Sequence, residues 1–418
     1  MKEQTEKYDI IIAGAGPAGL TAAVELSKQF KILVIERRKP GTTSSTWYSY
    51  ADRAKKYDIE EAVASRFDEI RFTSPTQTHN MKDDCVIMDH NKVLQLWIDR
   101  ATANGAVIRQ ESFQDYSYKD NGVVVKTSKG KYFARLLIDA MGSGSKIVAQ
   151  HDLIKRHDAW VIFGGLIEHP QKEKPYVLEY YPLNDEFNTY VGIHPLTETR
   201  TNIYVFQGRS NTMGNPAELT DIFRETWTKL EPEGKKIQNL GGTIVSGALK
   251  KYALDNIIFF GASGMLNPDG CGMGFNEILK QHQTFAKGIT QAMQNNTLDQ
   301  KTLEKIAGSL RDQETINFQK IIGAFSLYFI KSKGKWDGGV KWLNAMGEDS
   351  KYWMRNEFTM DWIMRANLRL HKVIPIKETV SMIPMDNLPF VLEQLARFSV
   401  KAATSVVKNK MKKEFSSK

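Results

Sequence analysis

The sequence predicts an α/β protein: a nucleotide-binding unit opens the chain, alternating strand-like runs fill its middle, and a helical region ends it. Three observations carry this. Tyr8 to Ala13 reads as a buried strand and passes through Gly14-Ala15-Gly16-Pro17-Ala18-Gly19 into a helical stretch, Thr21 to Gln29, and a second apolar strand, Lys31 to Ile35, ending at Glu36. Between Ala159 and Gly247, strand-like runs recur at Trp160–Phe163, Tyr176–Leu178, Tyr190–Ile193 and Asn202–Phe206. Residues 297–418 look largely helical.

In the opening unit each glycine has a mechanical reason. Gly14 allows the tight turn, Gly16 lets backbone approach a pyrophosphate, and Gly19 lets helix pack closely on strand. The helix N-terminus then presents free N–H groups and a positive dipole to the phosphates. Glu36 stands 17 residues beyond Gly19, at the strand end where a carboxylate accepts the ribose hydroxyls and disfavours a 2′-phosphate.

Composition narrows the class. The chain has 418 residues, enough for two to three domains, and an ordinary balance of 41% hydrophobic and 25% charged residues excludes disordered and fibrous architectures. Cys85 and Cys271 are too few for a disulfide framework or a cysteine-built metal centre, so no metal is expected and a reducing compartment fits. No apolar run reaches the length of a membrane-spanning helix, and MKEQTEKYDI has no signal-peptide architecture, which makes a cytoplasmic protein the expectation. Lys and Arg exceed Asp and Glu by 57 − 48 = 9, but with no zinc-finger spacing or aromatic–basic RNA motif no nucleic-acid partner is expected. P-loop, G-x-S-x-G and H-E-x-x-H patterns are absent.

Further blocks follow in order. Asn91 to Thr102 reads as a helix with an apolar stripe of Val93, Leu94, Trp97 and Ile98. Leu136 to Ala140 reads as a strand entering the small-residue turn Met141-Gly142-Ser143-Gly144-Ser145. Asn256 to Phe260 reads as a buried strand, followed by Gly261-Ala262-Ser263-Gly264-Met265-Leu266-Asn267-Pro268-Asp269-Gly270-Cys271-Gly272-Met273-Gly274 and a helix from Glu277 to Gln294.

Together these blocks resemble the flavoprotein superfamily of aromatic hydroxylases, geranylgeranyl reductases and lycopene cyclases, over residues 8–296. The resemblance implies a Rossmann-type FAD-binding domain (1–158 and 248–296), an inserted antiparallel β substrate domain (159–247) and a helical C-terminal region (297–418). It assigns the ADP part of FAD to Gly14, Ala15, Gly16, Pro17, Ala18, Gly19, Glu36 and Arg37. The ribityl chain and isoalloxazine fall to Gly261, Ala262, Pro268, Gly270, Gly272, Met273 and Gly274, with Gly142 in the intervening block. His90 falls where many members place an arginine near the pyrophosphate.

Departures from the hydroxylase pattern narrow the choice. Ala262 and Met141 replace two aspartates of the hydroxylases, and Trp47, Asp52 and Tyr57-Asp58-Ile59 are similar to the cyclase segment. The paired glutamates of the cyclase substrate sheet are missing from Asn202–Gln207. The resemblance therefore implies an FAD-dependent oxidoreductase that reduces C=C bonds of an unsaturated isoprenoid or similar lipophilic substrate, in the manner of geranylgeranyl reductases. A non-redox cyclase, a monooxygenase and a non-catalytic FAD-stabilised binding protein are the alternatives. One dinucleotide fingerprint is visible, so NAD(P)H or a ferredoxin would serve as an external electron donor.

Three side chains are candidate proton donors: Cys271 and Asp269 on the flavin turn, and His194 at the end of a substrate-sheet strand. Each also has a plain structural reading, as a small buried residue, a turn residue and a satisfied core histidine. Glu179 is a comparable carboxylate. Four tryptophans at 336, 342, 353 and 362, with Met346, Met354, Met360 and Met364, suit either a tunnel for a long apolar substrate or an ordinary helical cap. Leu388, Val391, Leu392, Leu395, Phe398, Ala402 and Val406 recur at helical spacing before a lysine-rich end, a pattern suited to the surface of an anionic membrane.

Overall fold

A computed structural model describes residues 6–172, 177–183, 189–210, 215–268, 272–311, 335–357 and 359–373, together with 393 and 396. Apart from those two positions, the amphipathic segment 388–406 lies outside the described residues.

The strands in chain order are β1 (Glu6–Ala13), β2 (Ile32–Glu36), β3 (Trp47–Tyr50), β4 (Val63–Thr73), β5 (Thr78–Met88), β6 (Val107–Gln110), β7 (Phe113–Lys119) and β8 (Gly122–Thr127). They continue as β9 (Lys131–Asp139), β10 (Ile154–Glu168), β11 (Leu178–Pro182), β12 (Thr189–Thr197), β13 (Arg200–Ser210), β14 (Lys235–Leu249), β15 (Ala253–Leu254) and β16 (Ile257–Phe259). Helices that matter here are α1 (Pro17–Leu26), α2 (Ala51–Lys56), α3 (His90–Ala103), α4 (Lys146–Gln150), α5 (Thr220–Leu230), α6 (Gly274–Gln294), α7 (Gln300–Ser309), α8 (Lys335–Met346), α9 (Ser350–Arg355) and α10 (Met360–Val373).

The first sheet runs β15-β16-β9-β1-β2-β6, with β7 and β8 extending from β9 as a meander. Its central pairings β16·β9, β9·β1, β1·β2 and β2·β6 are parallel. That explains why Ile10, Ile11 and Ile12 follow one another without polar alternation: both faces of β1 are covered, and all three are fully buried. Against the sequence reading, α1 starts four residues earlier, at Pro17, because proline suits the first helical position and Gly16 caps directly from the loop. Likewise α6 starts at Gly274 rather than Glu277.

The second sheet runs β14-β10-β13-β12-β11-β4-β5-β3. It is antiparallel except at β11·β4, where Leu178 lies beside Ile70. Three of its strands, β3 to β5, come from residues 47–88, which the sequence reading placed within the first domain. Helices α8 and α9 pack their apolar side chains, among them Val340, Leu343 and Met354, on one face of this sheet.

A charged latch fastens that packing. Arg355 donates from Nε and Nη2 to both carboxylate oxygens of Asp83, at 2.7 and 2.6 Å, and from Nη1 to Asp52 at 3.0 Å. Arg53 donates from Nη2 to the Arg355 carbonyl at 2.8 Å and to Glu357 at 2.6 Å. Both guanidinium groups lie over the Tyr50 ring, 4.9 and 4.3 Å from its centre. Such stacking suits planar guanidinium rather than ammonium.

Candidate functional site

The carboxyl ends of β1, β9 and β16 meet around the first glycine loop, where open α/β sheets place their ligands. Gly14 adopts φ +107°, and a Cβ there would stand 2.4 Å from the Ala140 carbonyl oxygen. A Cβ on Gly19 would stand 1.9 Å from the Gly14 oxygen, so only glycine lets α1 sit this close to the turn. At Gly16 a Cβ would meet nothing within 4 Å. The loop is closed by backbone on one side and open on the other, where α1 presents its N-terminus. Glu36 braces it: Oε2 accepts from Ala15 N and Oε1 from Arg38 N, both at 2.9 Å. Arg37 is exposed on the turn beyond. These residues fit the ADP part of FAD, with Gly14 to Gly19 and the α1 N-terminus for the pyrophosphate and Glu36 for a ribose.

Two further turns pack on this loop. Gly261, at φ +72°, would place a Cβ 2.5 Å from that of Ala18. Ala262 follows it in the same short turn, Gly261–Gly264, which contacts the turn Gly142–Gly144. Pro268 is buried, and Gly272, Met273 and Gly274 lead into α6. Asp269, Gly270 and Cys271 lie outside the described residues.

Asp139 joins these turns, a role its position in an apolar strand did not announce. Fully buried at the end of β9, it accepts through Oδ1 from Met141 N at 3.0 Å and through Oδ2 from the Ser145 hydroxyl. Ser145 in turn caps α4 by accepting from Val148 N at 3.1 Å. The Asp139 carbonyl receives Ser263 Oγ at 2.6 Å and Phe260 N at 2.9 Å.

Burial raises the Asp139 carboxyl to about 6, against the lowering effect of those hydrogen bonds. The folded chain therefore keeps this proton to higher pH than the unfolded chain, whose carboxyl has the ordinary value of 3.8. The associated stability is whole at acid pH and is lost as pH rises through about 6, a difference on the order of 3 kcal/mol. Asp139→Asn, which cannot ionise, should gain on the wild type as pH rises from about 4 to 7 and hold a constant difference above that. Thermal unfolding of both FAD-free proteins across this range checks it; parallel curves would mean the carboxyl titrates alike in both states.

His90 opens α3, after Asp89, whose side chain caps the helix by accepting from Lys92 N at 3.0 Å. Its ring lies edge-on to Trp47, which stacks on Phe275 at 5.0 Å and 3°. Burial lowers its pKa, so it is neutral at pH 7, and its buried Nε2 has no hydrogen-bond partner among the described residues.

On the second sheet, the face covered by α8 and α9 carries a packed aromatic cluster. Tyr190 stacks on Phe206 at 4.6 Å and on Trp336 at 5.8 Å, and Tyr180 stacks on Phe72 at 5.5 Å. Met273, at the entry to α6, belongs to the same apolar cluster. Within it the hydroxyls of Tyr48 and Tyr50 and Nε1 of Trp342 are buried without hydrogen-bond partners among the described residues. His194 lies beside this cluster with Nε2 at 3.0 Å from the Tyr180 hydroxyl, and burial drives its pKa down to about 3. At neutral pH the ring is neutral and partnered by Tyr180, an arrangement that suits the plain reading of a satisfied core histidine. Glu179 is held by the Thr73 hydroxyl at 3.0 Å. Among the described residues no group of three His, Cys, Asp or Glu is arranged to hold a metal, and no helix is long and apolar enough to cross a membrane.

The chain can now be set beside known proteins. The pyridine nucleotide-disulphide oxidoreductase family matches over residues 11–146. Digeranylgeranylglycerophospholipid reductase of Haloferax volcanii is 25% identical over 159 residues, which are 36% of this chain and 39% of the relative, so the similarity spans about two fifths of that protein. Among solved structures, a geranylgeranyl bacteriochlorophyll reductase-like protein from Thermoplasma acidophilum is similar with TM-score 0.70 at 17% identity, covering 91% of this chain and 100% of that one. A variant of the halogenase PltM in complex with FAD is similar with TM-score 0.63 at 13% identity, covering 94% and 96%. The resemblance read from the glycine loop and the later turns is borne out: residues 11–146 match an oxidoreductase family, and the chain shares its fold with a geranylgeranyl bacteriochlorophyll reductase-like protein and with a halogenase that binds FAD.

Proposed function

We propose that this protein is an FAD-dependent reductase of carbon–carbon double bonds in an unsaturated isoprenoid or similar lipophilic substrate. The observation that carries the reading is the buried aromatic cluster between the second sheet and helices α8 and α9, which includes Met273 from the turn leading into α6. The reductase named among the relatives adds weight.

When bound, reduced FAD supplies a hydride to one carbon of the double bond; the second carbon takes a proton. Gly14 to Gly19, Glu36 and His90 would hold the cofactor, with Gly142, Gly261, Ala262 and the Pro268 to Gly274 turn around its flavin end. The packed rings of Tyr180, Tyr190, Phe206 and Trp336 exclude water and would form the apolar wall against which a lipophilic chain lies. Tyr48 and Tyr50, whose pKa values burial raises well above 10, stay protonated and keep a hydroxyl hydrogen to donate. With His194 neutral, Cys271 and Asp269 are the candidates that supply the proton. Electrons would come from NAD(P)H or a ferredoxin.

Anaerobic incubation of the reduced protein with polyprenyl substrates tests this. Flavin reoxidation with a gain of two hydrogens in product mass is expected. Isomerisation without oxidation, or a product that forms only with oxygen or halide, would overturn it in favour of cyclase or of oxygenase and halogenase chemistry.

A lipophilic substrate is best collected from a membrane surface, and the amphipathic run 388–406, followed by Lys408, Lys410, Lys412 and Lys413, suits anionic lipid. Intact protein should co-sediment with anionic vesicles at low salt, release at high salt, and lose binding but not FAD when residues 387–418 are deleted. Protein left wholly in the supernatant at low salt would refute the membrane contact.

A further inference from the structure

A second cavity, of about 530 Å³, opens in the helical layer between α1, the end of α2, α3 and α6. It is separate from the glycine loop: Gly16 caps one end of α1 and Glu25 lies nine residues on, roughly 14 Å along the helix axis. Its volume falls within the range of small-molecule sites, about 300–1,000 Å³.

The floor is aromatic. Trp97 is 3% exposed, and Tyr57 meets the ring of His282 edge-on at 5.4 Å. His282 itself is 7% exposed, with Nδ1 at 2.9 Å from the Leu279 carbonyl. A carbonyl only accepts, so Nδ1 bears the hydrogen and Nε2 presents a lone pair. Burial lowers the pKa of this histidine and keeps it neutral. Glu25 Oε1 stands 3.9 Å from Nε2, while its Oε2 takes the Lys28 ammonium at 2.6 Å. Two acceptors thus face one another across the floor with no donor between them among the described residues. At the rim are cations: Lys56, exposed over the Tyr57 ring, and Arg100, whose Nη2 holds the Asp58 carbonyl at 2.5 Å.

We infer that this cavity is a binding site for a 6-aminopurine nucleoside monophosphate. The flat base lies against Tyr57, the exocyclic amino group donates to His282 Nε2 and Glu25 Oε1, and the phosphate meets Lys56 and Arg100. A ring carrying an oxygen in place of the amino group would set an acceptor against two acceptors and be rejected, because buried acceptors left unmatched are costly.

The test is calorimetric titration of the FAD-saturated protein, so that the nucleotide cannot enter the cofactor's own adenine subsite. AMP should bind with one equivalent and at least tenfold more tightly than IMP. Lys56→Ala should weaken AMP about tenfold and leave adenosine unchanged, whereas His282→Phe should weaken both; flavin absorbance reports whether each variant is folded. Should His282→Phe misfold, Glu25→Ala tests the same contact and should also weaken both ligands. No heat with millimolar AMP, equal affinity for AMP and IMP, or an affinity indifferent to Lys56→Ala and Glu25→Ala would overturn the assignment.

Discussion

Gly16→Val should yield a folded but colourless protein. At this position the backbone is extended, with φ −81° and ψ −175°, which valine adopts without strain, and a Cβ would meet no atom of the chain within 4 Å. The fold therefore has nothing to lose. The volume that the valine methyls fill is the open side of the loop, where the α1 N-terminus would face a pyrophosphate. Affinity for FAD should fall at least a hundredfold, about 3 kcal/mol. Circular dichroism and fluorescence titration of the FAD-free protein with FAD separate fold from affinity. Gly19→Ala is the contrasting control, because its Cβ would collide with the Gly14 oxygen and the whole turn would shift. A yellow, stoichiometric Gly16→Val protein would remove the phosphates from this loop.

Arg355→Met should be the most destabilising single change in the latch, by about 3–5 kcal/mol. The Asp83 side chain is 5% exposed and receives two hydrogen bonds from this one guanidinium. Removing the cation leaves a buried carboxylate with its charge uncompensated, and also frees Tyr50 from one of its two stacked partners. Scanning calorimetry should register a Tm lower by roughly 3–6 °C. Adding Asp83→Leu should recover most of the loss, since a buried ion pair replaced whole by apolar groups is often neutral or stabilising. If the double variant is as unstable as the single one, the latch acts through packing rather than charge.

What could be read in the sequence divides by range. The first strand–loop–helix–strand unit is local, and its chemistry is written in consecutive residues; the strand, the three glycines and the terminal Glu36 were legible together. So were β9 with its turn, and β16 with the Gly261 turn, because each is an apolar run followed by small residues. Residues 47–88 were not read as strands of the second sheet. β4 and β5 alternate buried and exposed positions among charged residues such as Arg66, Asp68, Lys82 and Asp84, and their membership depends on a partner strand far along the chain. Asp139 could have been noticed as the one acid closing an apolar strand, although only its buried contacts with Met141, Ser145 and Phe260 give it a role. Arg53 and Arg355 are about 300 positions apart, and no spacing rule links them. The sequence reading put His194 at a strand end, whereas β12 continues past it to Thr197; its neutral state follows from burial, which the sequence does not contain.

The parallel pairing of β4 with β11 sets an order of events on the ribosome. Ile70 waits for Leu178, 178 − 70 = 108 residues later, which at ordinary elongation rates is roughly 5–20 s. Throughout that interval the β4–β5 hairpin exists with one edge unclaimed, beside a first sheet that itself lacks β9 until residue 139 has been made. Neither sheet can be completed from a contiguous stretch of nascent chain, so the two must mature together. The same interleaving means that residues 159–247 cannot be lifted into another flavoprotein as a cassette: the graft would leave β11 without its neighbour, and a working transplant has to carry residues 47–88 with it.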